Sequence, residues 1–247
     1  MRAWSFALRP LLLCRKNQKV LQISPIGSKM ERKNNMSKKE NIKPLRELNL
    51  MNRFLFSEAM EDPDNIITML EIILDCKLSD IKNFQTEKEE RIDTLSKTAR
   101  LDLFVSDTDG TVYDVEAQIE NTYNLPKRSR YYNATIDSHL IEVGDIDYNK
   151  LNDTYVIMIC SFDLFHKGKY KYTFKMRCEE DDNLYLNDGA TRIFLNTKGK
   201  NASEVSSSLI ELLKYMENTT EEMAESCVNP EIKNCTSVLK KYVPVRR

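Results

Sequence analysis

Residues 99–119 read ARLDLFVSDTDGTVYDVEAQI. The stretch divides into two short alternating segments joined by a polar turn. Leu101, Leu103 and Val105 alternate with Arg100, Asp102, Phe104 and Ser106. Beyond the turn, Tyr113, Val115, Ala117 and Ile119 alternate with Val112, Asp114, Glu116 and Gln118. A period of two is the signature of a β-strand with one face buried. Between the segments, Asp107-Thr108-Asp109-Gly110 supplies residues that tolerate a tight bend, with Gly open to positive φ. The pattern therefore predicts a β-hairpin.

Two features of this hairpin are costly. Asp102 lies inside an apolar strand, and Glu116 and Gln118 follow on one face of the second strand. Packing alone requires no carboxylate at such places. Mg²⁺ would explain them, because hard cations take oxygen ligands and Mg²⁺ keeps several waters beside one or two carboxylates. Such a metal activates a water and stabilises charge on a phosphate. Gln118 stands close enough to hold that water or a phosphate oxygen, but lacks the cationic head of a Lys. Solvated polar residues on an open sheet face are the plainer alternative. An EF-hand-type calcium loop is a third reading. Asp107, Asp109, Gly110 and Glu116 fall at its third, fifth, sixth and twelfth positions, but Val105 holds the first and both flanks read as strands. Asp107 and Asp109 are better taken as turn residues.

Upstream, residues 44–61 carry apolar residues at helical spacing, from Leu45 to Ala59. Asp62-Pro63 then predicts a helix start, Asp as N-cap and Pro in the first turn, with Ile66, Ile67, Leu70, Ile73 and Leu74 facing inward. Residues 78–85 read as a strand and 86–99 as a charged connection. Downstream, 126–143 reads as a helix. Residues 154–162 (TYVIMICSF) form a nearly continuous apolar run, as in a strand buried on both faces. Residues 169–178 and 191–196 predict further strands, and 202–218 a helix with Val205, Leu209, Leu212 and Leu213 inward.

Composition bounds the class. With 247 residues, 41% hydrophobic and few Gly or Pro, the chain can build a substantial core. No apolar run reaches transmembrane length. The net charge of −1 hides an asymmetry. Residues 1–46 hold 12 Lys/Arg against 2 Asp/Glu, leaving 25 against 36 in the remainder. The main part is thus acidic and lacks a strongly basic nucleic-acid footprint. None of the six cysteines forms a CxxC, and with only His139 and His166 no zinc spacing arises. Without a secretory signal, the expectation is reduced thiols in the cytoplasm. Residues 1–35 differ in character from the rest. The purine-codon residue types before Met36 resemble a translated ribosome-binding site, so the expected start is Met36 or Met30, preceded by a disordered or mis-annotated leader.

Lys127, Arg128 and Arg130 open the helix that follows the hairpin. Helix starts favour anions rather than cations, so their placement suits contacts to a phosphate backbone; a solvated charged turn is the alternative. Tyr131 and Tyr132 are read as core or interface aromatics, and His139 and His166 receive no role. No Cys–His or Ser–His–Asp arrangement can be assembled.

Three strings in order carry a resemblance: Arg100-Leu101-Asp102, then Asp109 to Gln118 (DGTVYDVEAQ), then Lys127 to Tyr132 (KRSRYY). Together they resemble the Rpn family of recombination-promoting nucleases and transposases, within the PD-(D/E)XK nuclease superfamily. Residues 49–61, 155–165 (YVIMICSFDLF) and 193–199 (IFLNTKG) extend the likeness. The resemblance implies an α/β, restriction-endonuclease-like core, a mixed central sheet flanked by helices, over 44–165. It implies a small C-terminal α+β extension over 166–218 and a helical or disordered tail over 219–247. It implies Mg²⁺- or Mn²⁺-dependent cleavage of DNA, with Asp102 and Glu116 as metal ligands and Gln118 in the Lys position. Lys127, Arg128 and Arg130 would anchor the nucleic-acid backbone, and Glu58 would complete the site from the opening helix. Asn52 stands where similar proteins often carry Asp, and no ligand is assigned there. Cutting both strands would call for two sites, hence a homodimer. A nuclease fold that binds DNA or protein without useful catalysis is the alternative function.

Overall fold

In the computed structural model the described residues are 48–90, 98–141, 144, 146–230 and 232. The leader 1–35, the start of the first predicted helix and the end of the tail lie outside them. The elements run α1 (Arg53–Ala59), α2 (Pro63–Leu74), β1 (Ile81–Glu90), β2 (Ala99–Asp107), β3 (Val112–Gln118), α3 (Leu125–Asp137), β4 (Thr154–Cys160), β5 (Lys171–Phe174), β6 (Ala190–Asn196), α4 (Ser207–Glu217) and α5 (Glu221–Ser226).

The strands form one six-stranded mixed sheet in the order β1-β2-β3-β4-β6-β5. β2 runs antiparallel to both β1 and β3; β3, β4 and β6 run parallel, and β5 closes the far edge antiparallel to β6. The α3 crossover places β4 parallel beside β3, as a parallel pair requires. Residues 166–218 thus contribute β5, β6 and α4 to the same sheet and core as the residues before them.

Each face of the sheet has its own core. On one side Leu103, Val105, Tyr113, Val115, Ile157 and Ile159 pack under α1, α2 and α4. Phe56, Ile66, Leu70 and Leu213 are fully buried there, each contributing roughly 1.5–3 kcal/mol from the area removed from water. On the other side Leu101, Phe104, Val112, Val156, Met158 and Phe194 pack under Leu125, Tyr132 and Ile136 of α3. β4 feeds both cores, which is why its sequence is apolar throughout.

Local chemistry explains several boundaries. The Asp62 side chain accepts from the Asp64 amide at 3.0 Å and Pro63 opens α2. At the hairpin turn, Gly110 adopts φ +88. Asp107 accepts from the Thr111 amide at 2.8 Å and from the Tyr113 hydroxyl at 2.9 Å. Asp107 is therefore consumed by the turn, which leaves no calcium loop. Several boundaries differ from expectation: α3 stops at Asp137 rather than 143, and β5 is confined to Lys171–Phe174. α1 begins only at Arg53, after the Asn52 N-cap. β1 runs on to Glu90 through residues expected as a connection; it is an edge strand, where charged side chains reach water and guard the open edge. α4 begins at Ser207 because the Ser206 hydroxyl caps it, accepting from the Leu209 amide at 3.2 Å.

Candidate active site

β2 and β3 pair from Ser106↔Val112 to Leu103↔Val115 and no further. Beyond that point β2 stays with β1 as far as Ala99, and β3 stays with β4 as far as Gln118. The two strands therefore fork at Asp102 and Glu116. Side chains make the next rung in place of the backbone ladder. The Asp102 amide donates to Glu116 Oε1 at 2.9 Å, and the Ala117 amide faces the Asp102 carboxylate and favours its charged form.

The fork also turns β2 over. Leu103 and Val105 belong to one core, but Ala99 and Leu101 belong to the other. Leu101, expected on the Leu103 face, thus points the opposite way. Beside Asp102, Glu87 of β1 sits at φ +52, a left-handed conformation that non-glycine residues adopt rarely. This local irregularity brings a carboxylate out of an otherwise apolar strand.

Three acids crowd the fork on the α3 side. Glu116 is 2% exposed and Asp102 7%. Glu116 Oε2 accepts from Arg128 Nη2 at 3.1 Å and from Gln118 Nε2 at 3.2 Å. Even so, burial and the neighbouring Asp102 charge push the Glu116 carboxyl up to about 8. Burial likewise raises Asp102, against the opposing pull of Arg53. Asp114, two residues before Glu116 on the same face, is wholly buried, and neither of its oxygens meets a donor. Burial, then the charges of Glu116 and Asp102, hold it well above the ordinary carboxylate range.

Two arginines approach from opposite layers. Arg128 comes from α3, its guanidinium 5.6 Å from the Tyr132 ring centroid. Arg53 comes from the first turn of α1, its Nε 3.2 Å from Asp102 Oδ1 and 3.1 Å from Glu87 Oε1.

The structure thus brings Asp102, Glu116, Gln118 and Arg128 together. Lys127 and Arg130 are exposed on α3, turned away from the buried face that Ser129 and Tyr132 occupy. Asn52 serves as N-cap of α1, its Oδ1 accepting from the Phe54 amide at 3.1 Å. α1 reaches the site through Arg53. Glu58 is half-buried farther along the helix, rotated about 140° from Arg53, so it leaves in a different direction. Sequence reasoning missed Arg53 and Asp114. Asp114 was in principle visible, as an acid sharing the Glu116 face at period two; Arg53 carries no comparable signal.

The family model of the PD-(D/E)XK nuclease family transposases matches residues 50–242. The chain belongs to this family. None of the curated proteins and none of the solved structures matches it. The mixed sheet with flanking helices accords with the restriction-endonuclease-like fold expected of a PD-(D/E)XK protein. Among the described residues, no helix is long and apolar enough to cross a membrane.

PD-(D/E)XK nucleases generally use divalent metal ions. Among the described residues, no three His, Cys, Asp or Glu side chains form a ready-made metal cage. The donor set nonetheless fits a hard cation. Mg²⁺ needs only one or two protein carboxylates beside waters and substrate oxygens. The pocket holds unmet acceptors, both Asp114 oxygens, beside unmet donors on Arg53 and Arg128.

Proposed function

We propose that this PD-(D/E)XK transposase is a divalent-metal-dependent DNA endonuclease whose site lies at the β2/β3 fork. The observation that carries the reading is the meeting of Asp102 and Glu116, each nearly buried, under the guanidinium of Arg128. Asp102 and Glu116 would hold Mg²⁺ or Mn²⁺. The bound metal would supply a water of lowered pKa and a Lewis acid for the scissile phosphate.

The remaining work falls to side chains around the fork. Arg128, displaced from Glu116 when the metal takes that carboxylate, is placed to donate to a phosphate oxygen, because a guanidinium has five donors in a fixed fork. Gln118 fixes Glu116 through its amide and orients the attacking water; it cannot place a positive charge there. Lys127 and Arg130, exposed on the same helix, contact backbone phosphates on either side and contribute no base readout.

One observation favours a second reading. Both carboxylates already face an arginine, and Gln118 replaces the family's Lys, so the fold could serve as a DNA-binding module with little catalysis. Nicking of supercoiled plasmid by the full chain with Mg²⁺, with Mn²⁺ and with EDTA separates the two. Metal-dependent nicking that Asp102→Ala and Glu116→Ala abolish supports the endonuclease. Retained DNA binding without any nicking by the parent supports the module. If both mutants nick as well as the parent, the site assignment is wrong.

A further inference from the structure

Arg53 is the cation closest to Asp102, and the way it is held is unusual. Its Nε lies 3.2 Å from Asp102 and 3.1 Å from Glu87. Yet Nε and Nη2 are buried and neither makes an aligned hydrogen bond. The contact is one of charge rather than the bidentate fork that makes arginine–carboxylate pairs strong and specific. Such a contact is comparatively easy to displace.

Glu87 gives the guanidinium somewhere to remain. It lies on β1 at φ +52, and Arg100 Nη2 holds its other oxygen at 3.1 Å. Backbone conformations of this kind persist only where surrounding contacts maintain them, and they cluster at functional sites. Arg53 can therefore leave Asp102 while keeping an acidic partner.

We infer that Arg53 is a positioning residue that sets the affinity of the site for its metal, by competing with the metal for Asp102. This rests on Asp102 and Glu116 being the metal ligands. A dication and a guanidinium cannot both lie against one buried carboxylate without strong repulsion. Binding must therefore move Arg53 onto Glu87, and that displacement weakens the measured affinity. An arginine that merely supported the site would act in the opposite sense, because its loss would loosen the ligands.

The experiment is a calorimetric titration of the metal-free full chain with Mn²⁺, for the parent, Arg53→Gln, Arg53→Lys and Asp102→Asn, with thermal unfolding recorded for each. The expected result is Mn²⁺ binding at least roughly tenfold tighter in Arg53→Gln, the order set by removing one contact charge in a half-buried site. Arg53→Lys, which keeps the charge, should stay near the parent. Equal or weaker binding by a folded Arg53→Gln, with binding still lost in Asp102→Asn, overturns the inference and leaves the metal site standing. Unchanged binding in Asp102→Asn overturns the metal-site reading itself, and the role of Arg53 with it.

Discussion

The backbone amide of Asp102 donates to the side chain of Glu116 at 2.9 Å, where the β2/β3 ladder would otherwise continue. The Ala117 amide in turn faces the Asp102 carboxylate and favours its charged form. Each acid is thus held by the other strand's backbone. Two carboxyl groups are fixed side by side before any ligand arrives, which is preorganisation of the kind a cation site needs.

If that pair binds the metal, Asp102→Asn and Glu116→Gln should each lower metal-dependent nicking by at least ~10²-fold. Neither substitution should lower the thermal midpoint of the metal-free protein by much, because each relieves repulsion inside a buried cluster. Plasmid nicking and calorimetry on the same preparations check both halves.

Stability of the metal-free protein should fall with rising pH. Glu116 is raised from 4.5 to about 8 by burial and by Asp102. Between those values the folded chain keeps a proton that the unfolded chain has released, so stability is lost as pH rises through the window and levels off above it. Unfolding midpoints in EDTA from pH 5 to 9 should show that decline, flattened in Glu116→Gln. A midpoint that climbs across the window would contradict it.

Asp114→Asn should stabilise the metal-free protein, on the order of 1–2 kcal/mol, by removing an uncompensated buried acid. The gain should be larger at pH 8 than at pH 5, because burial and the neighbouring acids oppose the charged form of Asp114. Urea unfolding at both pH values measures it.

Lys127→Ala combined with Arg130→Ala should leave stability unchanged, since both side chains are exposed. DNA affinity should weaken for all sequences alike, and the slope of log K against log[salt] should shrink by about 0.9 for each phosphate that the variant no longer neutralises. Fluorescence anisotropy with a labelled duplex over a salt series reads this directly. An unchanged slope would remove α3 from the DNA interface.

Much of the fold was legible because it depends on local periodicity. Alternation identified β2 and β3, a continuous apolar run identified β4, and Asp62-Pro63 marked the start of α2. The charged half of β1 was not legible, because an edge strand can alternate charges with partly buried positions and still pair. The acids of the hairpin announced themselves by their cost in an apolar strand. Arg53 did not, since nothing near it in the chain records that α1 would lay its first turn against Asp102.

By itself, the amino-acid order marked the strands apart from the charged half of β1, the residues that turn the hairpin, and the placing of Asp102 and Glu116 on neighbouring strands. Only the tertiary structure decided that β2 turns over at Asp102, that Asp114 is sealed without a partner, and that arginines from two layers converge on the same fork. The physical reason is range. Strand periodicity and capping act over a few residues, whereas burial and ion pairing depend on which distant segments the finished core brings into contact.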